Sequence, residues 1–322
     1  MSIWLALLLV AVGLLLLAGG GELLVRGAVS LAELAGLTPA VIGLTVVALG
    51  TSLPELVVSV VAGLRGQPDI AVGNVVGSNI FNISFTAGLS ALFVTIPIKG
   101  NVVRLEWPVM FLASLAFLVI AYDGSVSRLD AGAFLVALVV FIGYSIRIAR
   151  VEAVPAEVRE LTREVEERSL AAPRPRLIFS VGATVVGLGL LVLGGRLLVD
   201  GSVRLAQLAG ISERVIGLTI VAVGTSAPEV ATTLVAVVRR HTDVAVANLI
   251  GSNIFNILGI LGLTGLITPI PVSPGIYRSD VWWMLGIALL IFPLMRMGMR
   301  LTRRDGVLLF GAYVLYLGFL LY

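Results

Sequence analysis

The sequence contains no cysteine and a single histidine, and charged residues fill only 13% of its 322 positions. Without thiols there can be no disulfide and no thiolate metal site. No Walker-type phosphate loop is present, and no hydrophilic stretch is long enough to fold as a nucleotide domain, which excludes an ATP-driven pump. A formal net charge of +3 gives no reason to expect a nucleic-acid partner. Neither an enzymatic cofactor nor a catalytic constellation is expected.

What the chain has in excess is apolar surface. Hydrophobic residues make up 58% of it, and the mean hydropathy is +1.08. A soluble core cannot cover that much, because a single compact domain leaves a large share of its atoms on the outside. Ten apolar runs have the length that crosses a hydrocarbon core as helix: 3–25, 40–63, 70–95, 106–122, 130–149, 177–199, 215–238, 244–270, 281–297 and 306–322. Long Leu/Val/Ala runs with little alternation exclude an outer-membrane barrel. The expected fold is all-α and polytopic, with ten transmembrane helices in a lipid bilayer. The Leu-rich start lacks the basic segment of a secretory signal and has a counterpart far inside the chain, so it reads as a retained first span.

That counterpart belongs to an internal repeat. VIGLTVVALGTSLPE (41–55) and VIGLTIVAVGTSAPE (215–229) agree at twelve of fifteen positions, at an offset of 174 residues. IAVGNVVGSNIFNI (70–83) and VAVANLIGSNIFNI (244–257) keep the same register, as do GGELLVRGAVSLAELAG (20–36) and GGRLLVDGSVRLAQLAG (194–210). The chain therefore divides into a five-helix repeat (1–149), a linker (150–176) and a second five-helix repeat (177–322). Five spans is an odd number, so the second half enters the membrane upside down. With the N-terminus outside, the inner loops collect fifteen basic residues and the outer loops four, namely Arg65, Arg128, Arg214 and Arg278. Both termini are thus expected outside an inner (cell) membrane, with the linker, a solvated mixed-charge segment, in the cytoplasm. Inverted repeats of this kind place a substrate site where the halves meet at mid-membrane.

Most of the nineteen acidic residues lie in loops or at span ends. Glu55 and Glu229 do not: they fall near the middle of spans two and seven, at equivalent places. A carboxylate at that depth costs several kcal/mol unless it meets a cation, a partner or water. The plain alternative is an ion pair with Arg26 or Arg196, near the ends of spans one and six. Pro54 and Pro228 each remove a helix bond to the carbonyl four residues back, at Gly50 and Gly224. The helices are expected to open at Ala48–Thr51 and Ala222–Thr225, freeing carbonyls that need partners. Thr51 and Ser52 share a helix face with Glu55, as Thr225 and Ser226 do with Glu229. In spans three and eight, Ser78 with Asn82 and Ser252 with Asn256 are spaced i,i+4. All these donors are oxygen, the set for calcium or sodium and not for zinc or copper. Asn79 and Asn253 read either as further site residues or as polar glue between helices.

GTSLPE, GTSAPE and the paired GSNIFN resemble the alpha-repeats of the cation/calcium exchanger superfamily, whose prokaryotic sodium/calcium exchangers have ten spans in inverted halves. The resemblance implies an antiporter that trades sodium for calcium by alternating access. It implies a central calcium site made by Glu55, Glu229 and the backbone carbonyls of Thr51 and Thr225, completed by Asn82 and Asn256. Flanking sodium sites would draw on Ser52, Ser78 and the carbonyl of Ala222, and on Ser226, Ser252 and the carbonyl of Ala48. Asn256 stands where the potassium-dependent branch carries aspartate, which argues against potassium dependence. Spans one and six, rich in glycine at Gly13, Gly19, Gly20, Gly21, Gly187, Gly189, Gly194 and Gly195, resemble the loosely packed pair that slides during transport. Proton/calcium exchange is the nearest rival, although that branch usually replaces the hydroxyl cluster before the glutamate with Asn and Ala. Magnesium or manganese is a further divalent to consider, but magnesium sheds water reluctantly. A channel would be expected to repeat about an axis along the membrane normal. His241, beside Arg239 and Arg240, reads as a surface residue, and a single chain is the expected unit.

Overall fold

A computed structural model describes residues 3–35, 39–152, 177–208 and 222–321. Most of the linker and the start of the seventh expected span lie outside the described residues.

The helices are α1 (Ile3–Ala35), α2 (Gly43–Thr51), α3 (Leu53–Leu64), α4 (Pro68–Phe93), α5 (Val102–Asp123), α6 (Arg128–Glu152), α7 (Leu177–Leu208), α8 (Ala222–Thr225), α9 (Ala227–Val238), α10 (Thr242–Ile267), α11 (Ile276–Arg296) and α12 (Arg303–Leu321). Among the described residues seven are long and apolar enough to cross a membrane, and α2 with α3, bent by 50°, have together the length and composition of an eighth. Helices α9 and α12 occupy the places of the two remaining expected spans, as repeat counterparts of α3 and α6. The chain is an all-α, multi-pass membrane protein.

The halves are inverted, and glycine packing shows it. A Cβ added at Gly13 would lie 2.8 Å from the Gly194 carbonyl oxygen, and one at Gly20 would lie 2.9 Å from that of Gly187. Numbers rise along α1 as they fall along α7, so two equivalent helices run antiparallel. Two short ladders also join opposite halves. The strand β1 (Ile96–Pro97) pairs with β4 (Arg300–Leu301), and β2 (Ser125–Val126) pairs with β3 (Ile270–Pro271). The Trp107 indole, on α5, donates to the Ala288 carbonyl of α11 at 2.7 Å. Each half completes the other, so the two fold as one body.

Burial ranks the helices. Of the most apolar stretch of each, 94% is buried in α10 and 78% in α4, against 22% in α1. Helices α4 and α10 therefore form the centre, and α1, α6 and α7 meet lipid. The resemblance implied a loose α1–α7 pair. The structure instead brings their backbones into close contact at Gly13, Gly20, Gly187 and Gly194, while Gly19 and Gly189 face open space. Small residues permit that approach and leave a smooth seam, which can be tight and still slide.

Candidate functional site

The break in each proline span falls one residue later than expected. Ala48–Thr51 and Ala222–Thr225 are helical turns; the interruptions are at Ser52 (φ −83°, ψ 8°) and Ser226 (φ −85°, ψ 5°). The Ala48 carbonyl is not freed, since it accepts the Ser52 N–H at 3.1 Å. The reason lies in the prolines at positions 54 and 228. The strain they impose is taken up at the residue two before them, where a serine hydroxyl is turned across the molecule.

Those serines reach the other half. The Ser52 hydroxyl donates to Glu229 Oε1 at 2.9 Å, and the Ser226 hydroxyl donates to Glu55 Oε1 at 2.9 Å. The pair of bonds exchanges under the repeat and ties both glutamates into one centre. Ser226 also meets the Ser78 hydroxyl at 3.0 Å. Glu55, Glu229, Ser52, Ser226, Ser78, Ser252, Asn82, Asn256, Thr51, Thr225 and Ala48 are all buried. Ala222 lies on α8.

Neither glutamate has a basic partner among the described residues. Arg26 pairs instead with Glu22 at 2.5 Å, and Glu22 also receives Arg239 at 2.6 Å. Glu55 Oε2 and Glu229 Oε2 are buried without a hydrogen bond, as are Ser252 Oγ, Asn256 Oδ1 and both polar atoms of the Asn82 amide. Buried polar atoms are ordinarily satisfied, and an unpaired carboxylate oxygen is the costliest kind to leave. Glu106 also has a free Oε2, but it lies at the start of α5 near Lys99 and Asp243, which pair with each other. The bonds from Ser52 and Ser226 bring the two carboxylates together, and the unbonded oxygens of Ser252, Asn82 and Asn256 are buried as neutral amide and hydroxyl donors. Among the described residues no group of three acidic or imidazole side chains forms a metal cluster. The charge on offer at the centre is two.

Two residues that the motifs did not single out hold this centre from behind. Asn74 donates to the Glu55 carbonyl and to Ser59, both at 3.0 Å, and accepts from Thr225 at 3.3 Å. Its counterpart Asn248 donates to Thr233 at 3.1 Å and accepts from Thr51 at 3.3 Å. Both threonine hydroxyls are thus engaged by asparagines of the opposite half. The signal for Asn74 and Asn248 was in the sequence, as amides at equal repeat positions four residues before Ser78 and Ser252. Stretches of π-helix follow at Phe81–Thr86 and Phe255–Leu261, widening the backbone beside Asn82 and Asn256. Such widened turns recur at functional sites.

The family described as "Sodium/calcium exchanger protein" matches residues 5–147 and again residues 179–322. The chain belongs to the sodium/calcium exchanger family. It is a transporter and not an enzyme, a cation/calcium exchanger by family. Inner membrane protein YrbG of Escherichia coli (strain K12) is 39% identical over 288 residues, 88% of this chain and 87% of that one. Sodium/calcium exchanger MaX1 of Methanosarcina acetivorans is 31% identical over 306 residues, 85% of this chain and 87% of its own. A solved structure of the sodium-calcium exchanger NCX_Mj, soaked with Na+ and Ca2+, aligns with a TM-score of 0.83 at 30% identity, covering 99% of both chains. For this exchanger family member, the matched segments leave out only residues 1–4 and the connection 148–178 between the halves.

Proposed function

We propose that this exchanger trades sodium for calcium across the inner membrane, three sodium ions for each calcium ion, by alternating access about the Glu55–Glu229 centre. The observation that carries the reading is the pair of buried, uncompensated carboxylate oxygens, each on a glutamate held by a serine of the opposite half. Glu55 and Glu229, with the carbonyls of Thr51 and Thr225 and the amides of Asn82 and Asn256, would hold calcium. Ser52, Ser78 and the Ala222 carbonyl, and Ser226, Ser252 and the Ala48 carbonyl, which has a second lone pair beside its helix bond to the Ser52 N–H, would take sodium on either side. One chain supplies both halves of the centre, so one chain is the transport unit. Residues 1–149 and 177–322 act as the two repeats, with 150–176 in the cytoplasm and both termini outside; the distribution of arginine supports this orientation.

The stoichiometry follows from charge. Two carboxylates balance one calcium or two sodium ions, and the serines offer neutral donors for a third sodium. One net positive charge then accompanies sodium in each cycle. An elementary charge moved through roughly 100 mV is worth about 2.3 kcal/mol, enough to change the equilibrium calcium ratio by well over tenfold. Clamping the potential of proteoliposomes with potassium and valinomycin should therefore shift the calcium ratio at which net sodium-driven flux stops. A ratio indifferent to potential would mean two-for-one exchange and defeat the three-sodium assignment.

A further inference from the structure

Asn79 and Asn253 occupy equivalent repeat positions and are both buried, yet they bond differently. Asn253 turns back on its own helix, donating to the Leu249 carbonyl at 2.6 Å. Asn79 crosses to the other half. Its Nδ2 donates to the Asn253 carbonyl at 3.3 Å and approaches the Met284 sulfur at 3.7 Å, while its Oδ1 accepts from Asn256 Nδ2 at 3.0 Å.

We propose that Asn79 is a positioning residue that fixes the direction of the Asn256 amide, so that Asn256 offers oxygen and not N–H to the transported cation. The direction is forced from the backbone. A carbonyl oxygen and a thioether sulfur can only accept, so the NH2 end of Asn79 must face them. Its oxygen then faces Asn256 and must receive an N–H, which fixes an amide that could otherwise be turned either way. Asn256 Oδ1 is left buried and without a hydrogen bond in the protein. Turned the other way, the same amide would aim two partly positive hydrogens at a cation. The counterpart amide, Asn82, has neither polar atom in a hydrogen bond, so no bond fixes its direction. The two halves of the centre are therefore unequal: one amide is fixed as an oxygen donor, the other adjustable. Positioned donors of this kind bind a cation without first reorienting.

This inference rests on Asn256 belonging to the cation centre, and the test separates the two statements. Half-saturating sodium and calcium are measured for sodium-driven calcium-45 uptake in proteoliposomes with wild type, Asn79→Ala, Asn256→Ala, Asn256→Asp and the double variant Asn79→Ala/Asn256→Asp. Asn79→Ala should raise half-saturation about tenfold, the scale of one lost hydrogen bond at a buried site. A carboxylate presents oxygen whichever way it turns, so in the Asn256→Asp background the same change should raise nothing. An equal rise in both backgrounds would make Asn79 interhelical glue and overturn the proposal. Unchanged half-saturation in Asn256→Ala would instead remove Asn256 from the cation centre. Should Asn79→Ala not yield folded protein, Asn79→Ser takes its place, because a hydroxyl satisfies the Asn253 carbonyl without fixing a direction; the same two outcomes decide.

Discussion

Glu55→Gln and Glu229→Gln should each yield folded protein in the membrane that exchanges no calcium above background. Glutamine keeps the volume and still accepts the serine hydroxyl, so the Ser226–Glu55 and Ser52–Glu229 contacts, both 2.9 Å, survive in outline. What is lost is one of two charges in a place where no basic side chain compensates them among the described residues. A bond to a charged partner is worth about 1.5–3 kcal/mol, and a divalent ion in a water-poor centre is held by more than one such bond. The loss of calcium affinity is therefore expected to exceed roughly a hundredfold. Folding should not suffer, because neutralising a buried, unpaired carboxylate removes a desolvation cost. Near wild-type calcium exchange in either variant would remove that glutamate from the site.

The second large effect concerns the seam between α1 and α7. A Cβ at Gly187 would lie 2.6 Å from the Leu24 nitrogen and 2.9 Å from the Gly20 carbonyl oxygen. Both obstacles are backbone and cannot swing aside. Gly187→Val should push the helices apart, costing about 1–3 kcal/mol or more, and should abolish exchange along with much of the thermal stability. Gly189→Val, on the same helix, is the control. Nothing lies within 4 Å of a Cβ there, so stability and exchange should stay near wild type. Thermal unfolding in detergent followed by reconstituted uptake reads both. Equal behaviour of the two variants would mean that the seam does not depend on close backbone approach.

Much of this architecture was legible because the repeat is written in one register. An offset of 174 carries Leu53–Leu64 onto Ala227–Val238 and Pro68–Ile80 onto Thr242–Ile254 without a shift. The midplane glutamates stood out for a physical reason: an acid inside an apolar run needs a function, and two at the same repeat position need a shared one. Other features were not legible. Periodicity cannot tell an α-turn from a π-turn, so the widened stretches after Ile80 and Ile254 had no signature. Proline marks a break within a few residues and not its position, which is how the interruption came to fall at Ser52 instead of within Ala48–Thr51. Equal sequence also concealed unequal bonding. Asn79 and Asn253 sit in identical GSNIFN motifs, and only packing decides which of them crosses to the other half.

In the proposed cycle a sodium gradient is what moves calcium through this protein. Proteoliposomes loaded with sodium and diluted into sodium-free medium should accumulate calcium-45, and the uptake should vanish when sodium is equal on both sides. An imposed proton gradient or potassium gradient of the same size should drive none. Calcium uptake that follows the proton gradient and ignores sodium would overturn sodium coupling and establish the proton-coupled alternative.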